Sequence, residues 1–167
     1  VDNMAKAKYD DSSIKTLKGA DRVRKRPSVI FGSDDIVGCC HSFFEILSNS
    51  IDEFKEGHGD KIIVSYFKDG SVEVQDFGRG IPVDYNEKEK AYNWELLFCE
   101  MYAGGKYGDT YEFSLGLNGL GLCATQYASE YMDAEIYNGK NRYELHFKKG
   151  KPVEKDKEKQ LGKTEMK

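Results

Sequence analysis

The feature that most constrains the fold is the stretch Gln75-Asp76-Phe77-Gly78-Arg79-Gly80-Ile81-Pro82, which follows directly on a strand–turn–strand pattern. An alternating run from Lys61 to Phe67 meets Asp69-Gly70, and a second run, Val72 to Gln75, delivers the chain to Asp76. Asp-Gly between two β-branched runs is a hairpin signal, because both residues tolerate the backbone of a tight turn. Asp76 is therefore expected at a strand end, followed by two glycines that let the backbone lie close to a neighbour. A buried carboxylate in that place accepts hydrogen bonds from an exocyclic amine, which is how a protein reads adenine without touching phosphate. The plainer alternative is a tight turn in which Asp76 caps backbone N–H groups, and the D-x-G-x-G spacing alone leaves both open.

The 167 residues suit one domain with a real core. A net charge of −4 gives no general attraction to nucleic acid. No apolar run is long enough to span a bilayer and no signal peptide is visible, so a cytoplasmic protein without a membrane partner is expected. Cys39, Cys40, Cys99 and Cys123 fall in apolar helical patterns without zinc-ligand spacing and read as reduced core residues. Val1-Asp2-Asn3 ahead of Met4 reads as a tag remnant, residues 1–8 as that remnant plus a flexible arm, and 9–167 as the domain.

Along the domain, Asp11 and Ser12 are placed to cap a helix carrying Ile14, Leu17, Ala20 and Val23, which must end by Arg26 because Pro27 restricts its predecessor. The basic run Arg22 to Arg26 is expected to be the solvated last turn of that helix, complementing its dipole. The longest helix is predicted over Ile36 to Glu56. Cys40, Phe43, Phe44, Leu47, Ile51 and Phe54 share one arc, the expected buried stripe, while Glu45, Asn49, Asp52 and Glu56 line the opposite one. If other parts of the chain cover Glu45 and Asn49, their i, i+4 spacing points both into one pocket. A carboxylate and an amide so placed suit a water and an Mg²⁺ ion beside a phosphate chain.

A further helix is predicted from Ala91 to Tyr102, with Trp94, Leu97, Phe98 and Met101 as its stripe. Six glycines then fall between Ala103 and Gly121, with Lys106 after the first pair. Their last part, Leu115-Gly116-Leu117-Asn118-Gly119-Leu120-Gly121, opens the helical segment Leu122 to Tyr127. Glycines at a helix start present free N–H groups and the positive dipole end, the physical basis of phosphate binding. The spacing fits neither a Rossmann fingerprint nor a Walker A loop. Strands at Tyr131–Tyr137 and Arg142–Phe147 join through Asn138-Gly139, Lys148 to Lys159 reads as an exposed loop, and Gly162 to Lys167 as the start of a strand in a fragment of something larger.

Together, Tyr9-Asp10-Asp11-Ser12-Ser13-Ile14, Val23-Arg24-Lys25-Arg26-Pro27, Phe44-Glu45 to Asp52-Glu53, Val74-Gln75-Asp76 to Pro82, and Ala103-Gly104-Gly105-Lys106 resemble the GHKL ATPases. Within that family the chain is most similar to the ATP-binding domains of bacterial type II topoisomerases of the DNA gyrase B kind. The resemblance implies an α+β fold, a layered α/β sandwich with a mixed sheet and helices on one face. It implies ATP and Mg²⁺ as ligands, Glu45 as general base, Asn49 as the Mg²⁺ ligand, and Asp76 as the adenine acceptor assisted by Thr164. Gly78, Arg79, Gly80, Ile81 and Pro82 then line the base, while Lys106, Leu117, Asn118, Gly119, Leu120 and Gly121 take the phosphates. Arg79 has an expected ion-pair partner in Glu53. The partners implied for the longer protein are DNA, a second copy and a DNA-cleaving subunit, ATP driving gate closure and strand passage. The present piece is expected to be monomeric, to lack the transducer domain, and to bind ATP with little turnover. The corresponding ATPase of topoisomerase IV and a non-catalytic nucleotide-gated module are the alternatives. Departures from the family pattern are Phe77 in place of a second aspartate, expected to make the pocket floor more apolar, Ser48 beside Asn49, and Asn118 within the last glycine loop.

Overall fold

Both Asx-Gly turns fold as hairpins. In the computed structural model, which describes residues 17–101 and 121–167, β1 (Ile62–Tyr66) pairs antiparallel with β2 (Val72–Asp76), Val64 standing opposite Val74. Gly70 at the turn takes φ +86°, and Asp69 Oδ1 accepts from Ser71 N at 2.9 Å. A second hairpin, β3 (Tyr85–Asn86) with β4 (Ala91–Tyr92), lies in a stretch too polar to register as strand. The third joins β5 (Tyr131–Asn138) to β6 (Asn141–Lys148), with Ile136 opposite Tyr143. The other edge of β6 carries β7 (Lys151–Pro152) and β8 (Gly162–Glu165), completing a four-stranded sheet. The α+β class stands. In place of the mixed sheet, every ladder among the described residues is antiparallel.

Six helices accompany these strands among the described residues: α1 (Asp21–Arg24), α2 (Pro27–Phe31), α3 (Ile36–Lys55), α4 (Asn93–Cys99), α5 (Gly121–Ala128) and α6 (Lys157–Gln160). The expected first helix reaches only Asp21–Arg24 here, and its expected start at Asp11 and Ser12 lies outside the described residues. Pro27 opens α2 at its first turn, where its missing N–H is harmless, and Gly32 ends it at φ +76°. Asp35 caps α3 by accepting from Val37 N at 2.8 Å. α6 and β7 break up the expected exposed loop, Asp156 capping α6.

Alternation along β6 builds the larger core. Tyr143, Leu145 and Phe147 point inward with Ile136 of β5, and meet Trp94 and Phe98 of α4, Val83 and Leu161. A second cluster joins Ala20, Val23 and Phe31 to Cys123, Ala124 and Tyr127 of α5. Arg24 links these elements differently from expectation. Its Nη1 donates to the carbonyls of Tyr127, Ala128 and Ser129 at 3.2, 3.3 and 2.9 Å, and Nη2 meets Glu130 at 2.9 Å. Arg24 thus complements the dipole of α5, while Arg22, Lys25 and Arg26 are exposed as expected.

The cysteines divide. Cys39 and Cys40 are exposed and Cys123 is buried, so only part of the expected core placement holds. Burial pushes the Cys99 and Cys123 thiols up to about 12, which keeps them protonated and poor nucleophiles at neutral pH. Leu145, fully buried, tests the main core. Leu145→Ala is expected to lower stability by about 2–5 kcal/mol, read as a lower urea midpoint at unchanged m value.

Candidate functional site

α3 organises the site by packing on the side between its two arcs, with Phe43 and Leu47 of the apolar arc half-buried beside Glu45 and Asn49. Phe44 and Phe54 of the apolar arc are 55% and 50% exposed, and Cys40 and Ile51 are exposed too. Ser50 is buried, at 5% exposure, and Glu45, Asn49 and Glu53 are half-buried. Amphipathic patterning assumes that a helix packs by its apolar stripe. Here the packed side carries the polar groups Ser42, Glu45, Ser50 and Glu53 beside Phe43 and Leu47, because β2, the loop after it and the start of α5 each offer polar or sterically open neighbours.

Three of these contacts follow one another along the helix. At the first, Gly121 opens α5 against Glu45, and a Cβ at Gly121 would overlap Glu45 Oε2. Glycine is what allows the Glu45 carboxylate and the helix start to meet. Thr125 Oγ1, one turn into α5, donates to Ser42 O at 3.2 Å and fixes the crossing. At the second, Ser50 Oγ donates to Asp76 Oδ2 at 2.6 Å, tying α3 to the end of β2. Asp76 Oδ1 accepts from Gly78 N at 3.0 Å, so the plain capping role is also present. At the third, Glu53 takes Arg79 N at 2.9 Å and Arg79 Nη2 at 2.5 Å, while Glu56 takes the same Nη2 at 2.8 Å. The expected Arg79–Glu53 pair is in place, and a Cβ at Gly78 would crowd Glu53 Oε2.

Gly80 lies against β5. Its φ is +75°, and a Cβ would overlap the carbonyl oxygen of Tyr137, so both conformation and space demand glycine. Asn138 Nδ2 donates to Ile81 O at 3.4 Å beside it. Ile81 packs against the main core while Pro82 is exposed.

Between the first two contacts sits Asn49, whose Oδ1 is buried and has no hydrogen-bond partner among the described residues. An orphaned acceptor in such a place costs stability unless something outside the chain engages it. From Glu45 to Ser50 the helix rises about 8 Å. It runs from the start of α5, where Glu45 meets Gly121, to the Asp76 carboxylate, an acceptor for an amine donor.

Asp76 is exposed rather than buried as expected, because β2 pairs with β1 alone and leaves its carboxylate end uncovered among the described residues. Phe77 faces away from Asp76, as successive residues of extended chain do. Its ring lies 4.8 Å from Lys61 Nζ and is 44% exposed, so it does not join Asp76 against Ser50 as an apolar floor. Thr164 stands opposite Arg142 on β8, exposed, on a strand that pairs with β6. No hydrogen bond among the described residues ties it to Asp76. Lys106, Leu117, Asn118, Gly119 and Leu120 lie outside the described residues. Ser50 was missed by sequence reasoning, since a lone serine within a helix carries no pattern. Only the hairpin register that brings Asp76 to it gives it meaning.

The sequence profile of the histidine kinase-, DNA gyrase B-, and HSP90-like ATPases matches residues 34–159. The chain is 41% identical over 147 residues to DNA gyrase B of Thermotoga maritima, covering 87% of this chain and 23% of that protein. It is also 41% identical over 143 residues to the B-type subunit of DNA topoisomerase 4 from Staphylococcus aureus, covering 85% of this chain and 21% of the relative. Among solved structures it is similar to the 43K ATPase domain of Thermus thermophilus gyrase B in complex with an aminocoumarin. There the TM-score is 0.67 and the identity 29%, over 81% of this chain and 33% of that one. The chain thus spans less than a quarter of the length of these curated relatives.

The Arg79 guanidinium holds the Glu53 carboxyl below its usual range, and Glu53 in turn raises Arg79. A carboxyl lowered on folding stabilises the fold above its unfolded value, near 4.5, and loses that contribution as pH falls through the lower folded value. The stability gap between wild type and Glu53→Gln is therefore expected to be full at pH 7 and to close below pH 4.5, measured by urea unfolding across that range.

Proposed function

The chain belongs to the histidine kinase-, DNA gyrase B- and HSP90-like ATPases, and from that premise we propose that ATP lies along the inward arc of α3, its base at Asp76 and its phosphates toward Gly121. The observation that carries this reading is the buried, partnerless Asn49 Oδ1, set between the Glu45 and Ser50–Asp76 contacts.

Each residue then has a role. Asp76 accepts from the exocyclic amine of adenine. Ser50 and Gly78 N hold its two oxygens in a fixed plane, so the carboxylate is oriented before the ligand arrives. Gly80, Ile81 and Pro82 form the wall beside the base, with Arg79 held at the rim by Glu53 and Glu56. Gly121 N–H and the start of α5 face the phosphates, joined by Lys106 and the backbone of 117–120. Thr164 assists at the base through water.

Asn49 Oδ1 would be the chain's ligand for Mg²⁺, which would offset the charge of the phosphates. Among the described residues no group of three His, Cys, Asp or Glu side chains could hold a metal by itself, which fits an ion carried in with the nucleotide. Glu45 orients the water that attacks the terminal phosphate and takes its proton. Gly121 leaves that carboxylate room at the helix start.

The longer polypeptide, in this reading, is a cytoplasmic type II topoisomerase component that uses ATP to close a dimer gate around DNA, together with a DNA-cleaving subunit. Identity to gyrase and topoisomerase IV relatives is the same, 41%, so both remain open. ATP-dependent supercoiling by the full-length protein identifies the first and decatenation without supercoiling the second. No helix among the described residues is long and apolar enough to cross a membrane.

Calorimetric titration with a non-hydrolysable ATP analogue and Mg²⁺ tests the site. Wild type is expected to bind, Asp76→Ala to lose measurable binding, and Ser50→Ala to bind more weakly by about tenfold or more, the effect of one hydrogen bond to a charged group. Equal binding by all three would remove Asp76 from the site. In the full-length protein, Glu45→Ala is expected to keep nucleotide binding and lower turnover by a factor on the order of 100 or more, measured by phosphate release. Unchanged turnover would favour a module gated by nucleotide binding alone.

A further inference from the structure

Between β2 and β3 the chain crosses Phe77 to Asp84 without a ladder on either side. Such a segment keeps one shape only if its ends and its middle are pinned. Its entry is held by Asp76 and its middle by Glu53 and Glu56 on Arg79 and by the fit of Gly80 against Tyr137. Ile81 is anchored by a long bond from Asn138, at 3.4 Å, and Pro82 has no N–H to give.

The exit is held more firmly. Val83 is buried, and its carbonyl accepts from Trp94 N at 3.3 Å, while Asp84 O accepts from Asn93 N at 2.9 Å. The Asp84 carboxylate gathers three donors: Tyr85 N at 3.1 Å on Oδ1, Lys163 Nζ at 2.9 Å and Tyr143 OH at 3.2 Å on Oδ2. Tyr143 belongs to the buried face of β6, and Lys163 comes from β8, its ammonium 5.8 Å from the Tyr143 ring. One carboxylate therefore connects the loop exit to two strands of the main sheet.

We propose that Asp84 is a positioning residue for the base of the bound nucleotide: through Lys163 and Tyr143 it fixes the loop exit, and with it the placement of Ile81 and Pro82 beside the base. This rests on the nucleotide reading given above. The charges agree with the geometry. Lys163 holds the Asp84 carboxyl below its usual range, Asp84 raises Lys163, and burial followed by the nearby carboxylate raises Tyr143. A merely structural role would be small, because an ion pair whose partners are about half exposed, at 48% and 51%, contributes little to stability. Displacing a wall of the pocket acts on binding instead.

The test uses the whole 167-residue chain. Wild type, Asp84→Asn, Lys163→Met and the double variant are titrated with a non-hydrolysable ATP analogue and with adenosine, and each is melted. Asp84→Asn is expected to bind both ligands about three- to tenfold more weakly, by the same factor, with a melting temperature close to wild type. The double variant should be no worse than Asp84→Asn alone, and the exchanged pair Asp84→Lys with Lys163→Asp should recover part of the loss. Tyr143→Phe removes the second donor without a cavity and should weaken binding in the same direction. Wild-type affinity in Asp84→Asn overturns the positioning role and leaves the nucleotide reading standing. A drop in melting temperature that accounts for the lost affinity, or a loss confined to the ATP analogue, also overturns it. Failure of wild type itself to bind removes both.

Discussion

Turning polar side chains of a twenty-residue helix inward is unfavourable unless they find partners, and the geometry of the site follows from how α3 meets that requirement. Ser50 finds Asp76 and Glu53 finds Arg79, while Glu45 lies close against Gly121 at the start of α5. These neighbours belong to different elements, so packing the helix also assembles the site. Asn49 Oδ1 is buried without a hydrogen-bond partner among the described residues, which gives the site a reason to hold a ligand. The same polar contacts that locate α3 therefore define what it can bind.

Glycine supplies the clearance. At Gly78, Gly80 and Gly121 a single additional carbon would strike Glu53, the Tyr137 carbonyl or Glu45 respectively. In each case the close approach brings backbone to a carboxylate or a carbonyl. Conformation matters as well at Gly80, where the positive φ excludes most side chains. At Gly78 and Gly121 the demand is for space alone.

Much of the scaffold was legible because local chemistry determines it. Asp69-Gly70 and Asn138-Gly139 mark their hairpins whatever surrounds them, and Asp35 and the run after it delimit α3 within a residue of its observed end. The orientation of α3 was not legible, since periodicity locates an apolar stripe but cannot say whether neighbours will cover it. The two-residue strands Tyr85–Asn86 and Ala91–Tyr92 are too short for any period to emerge. Within the site, Asp76 and the Arg79–Glu53 pair could be anticipated from motif and charge. Ser50 and the Asp84–Lys163–Tyr143 contact depend on pairings across distant parts of the chain that no local pattern encodes.

Arg24 gives α5 an unusual electrical character. Eight residues make a helix about 12 Å long, short enough for the partial charges at its two ends to cancel in part at any point near either one. The guanidinium on the last carbonyls neutralises the negative end. Seen from Glu45 and the site, α5 then behaves less as a dipole than as a single fixed positive pole, whose field decays more slowly with distance. A cation on the far side of the molecule thereby strengthens the pull on an anion it never touches.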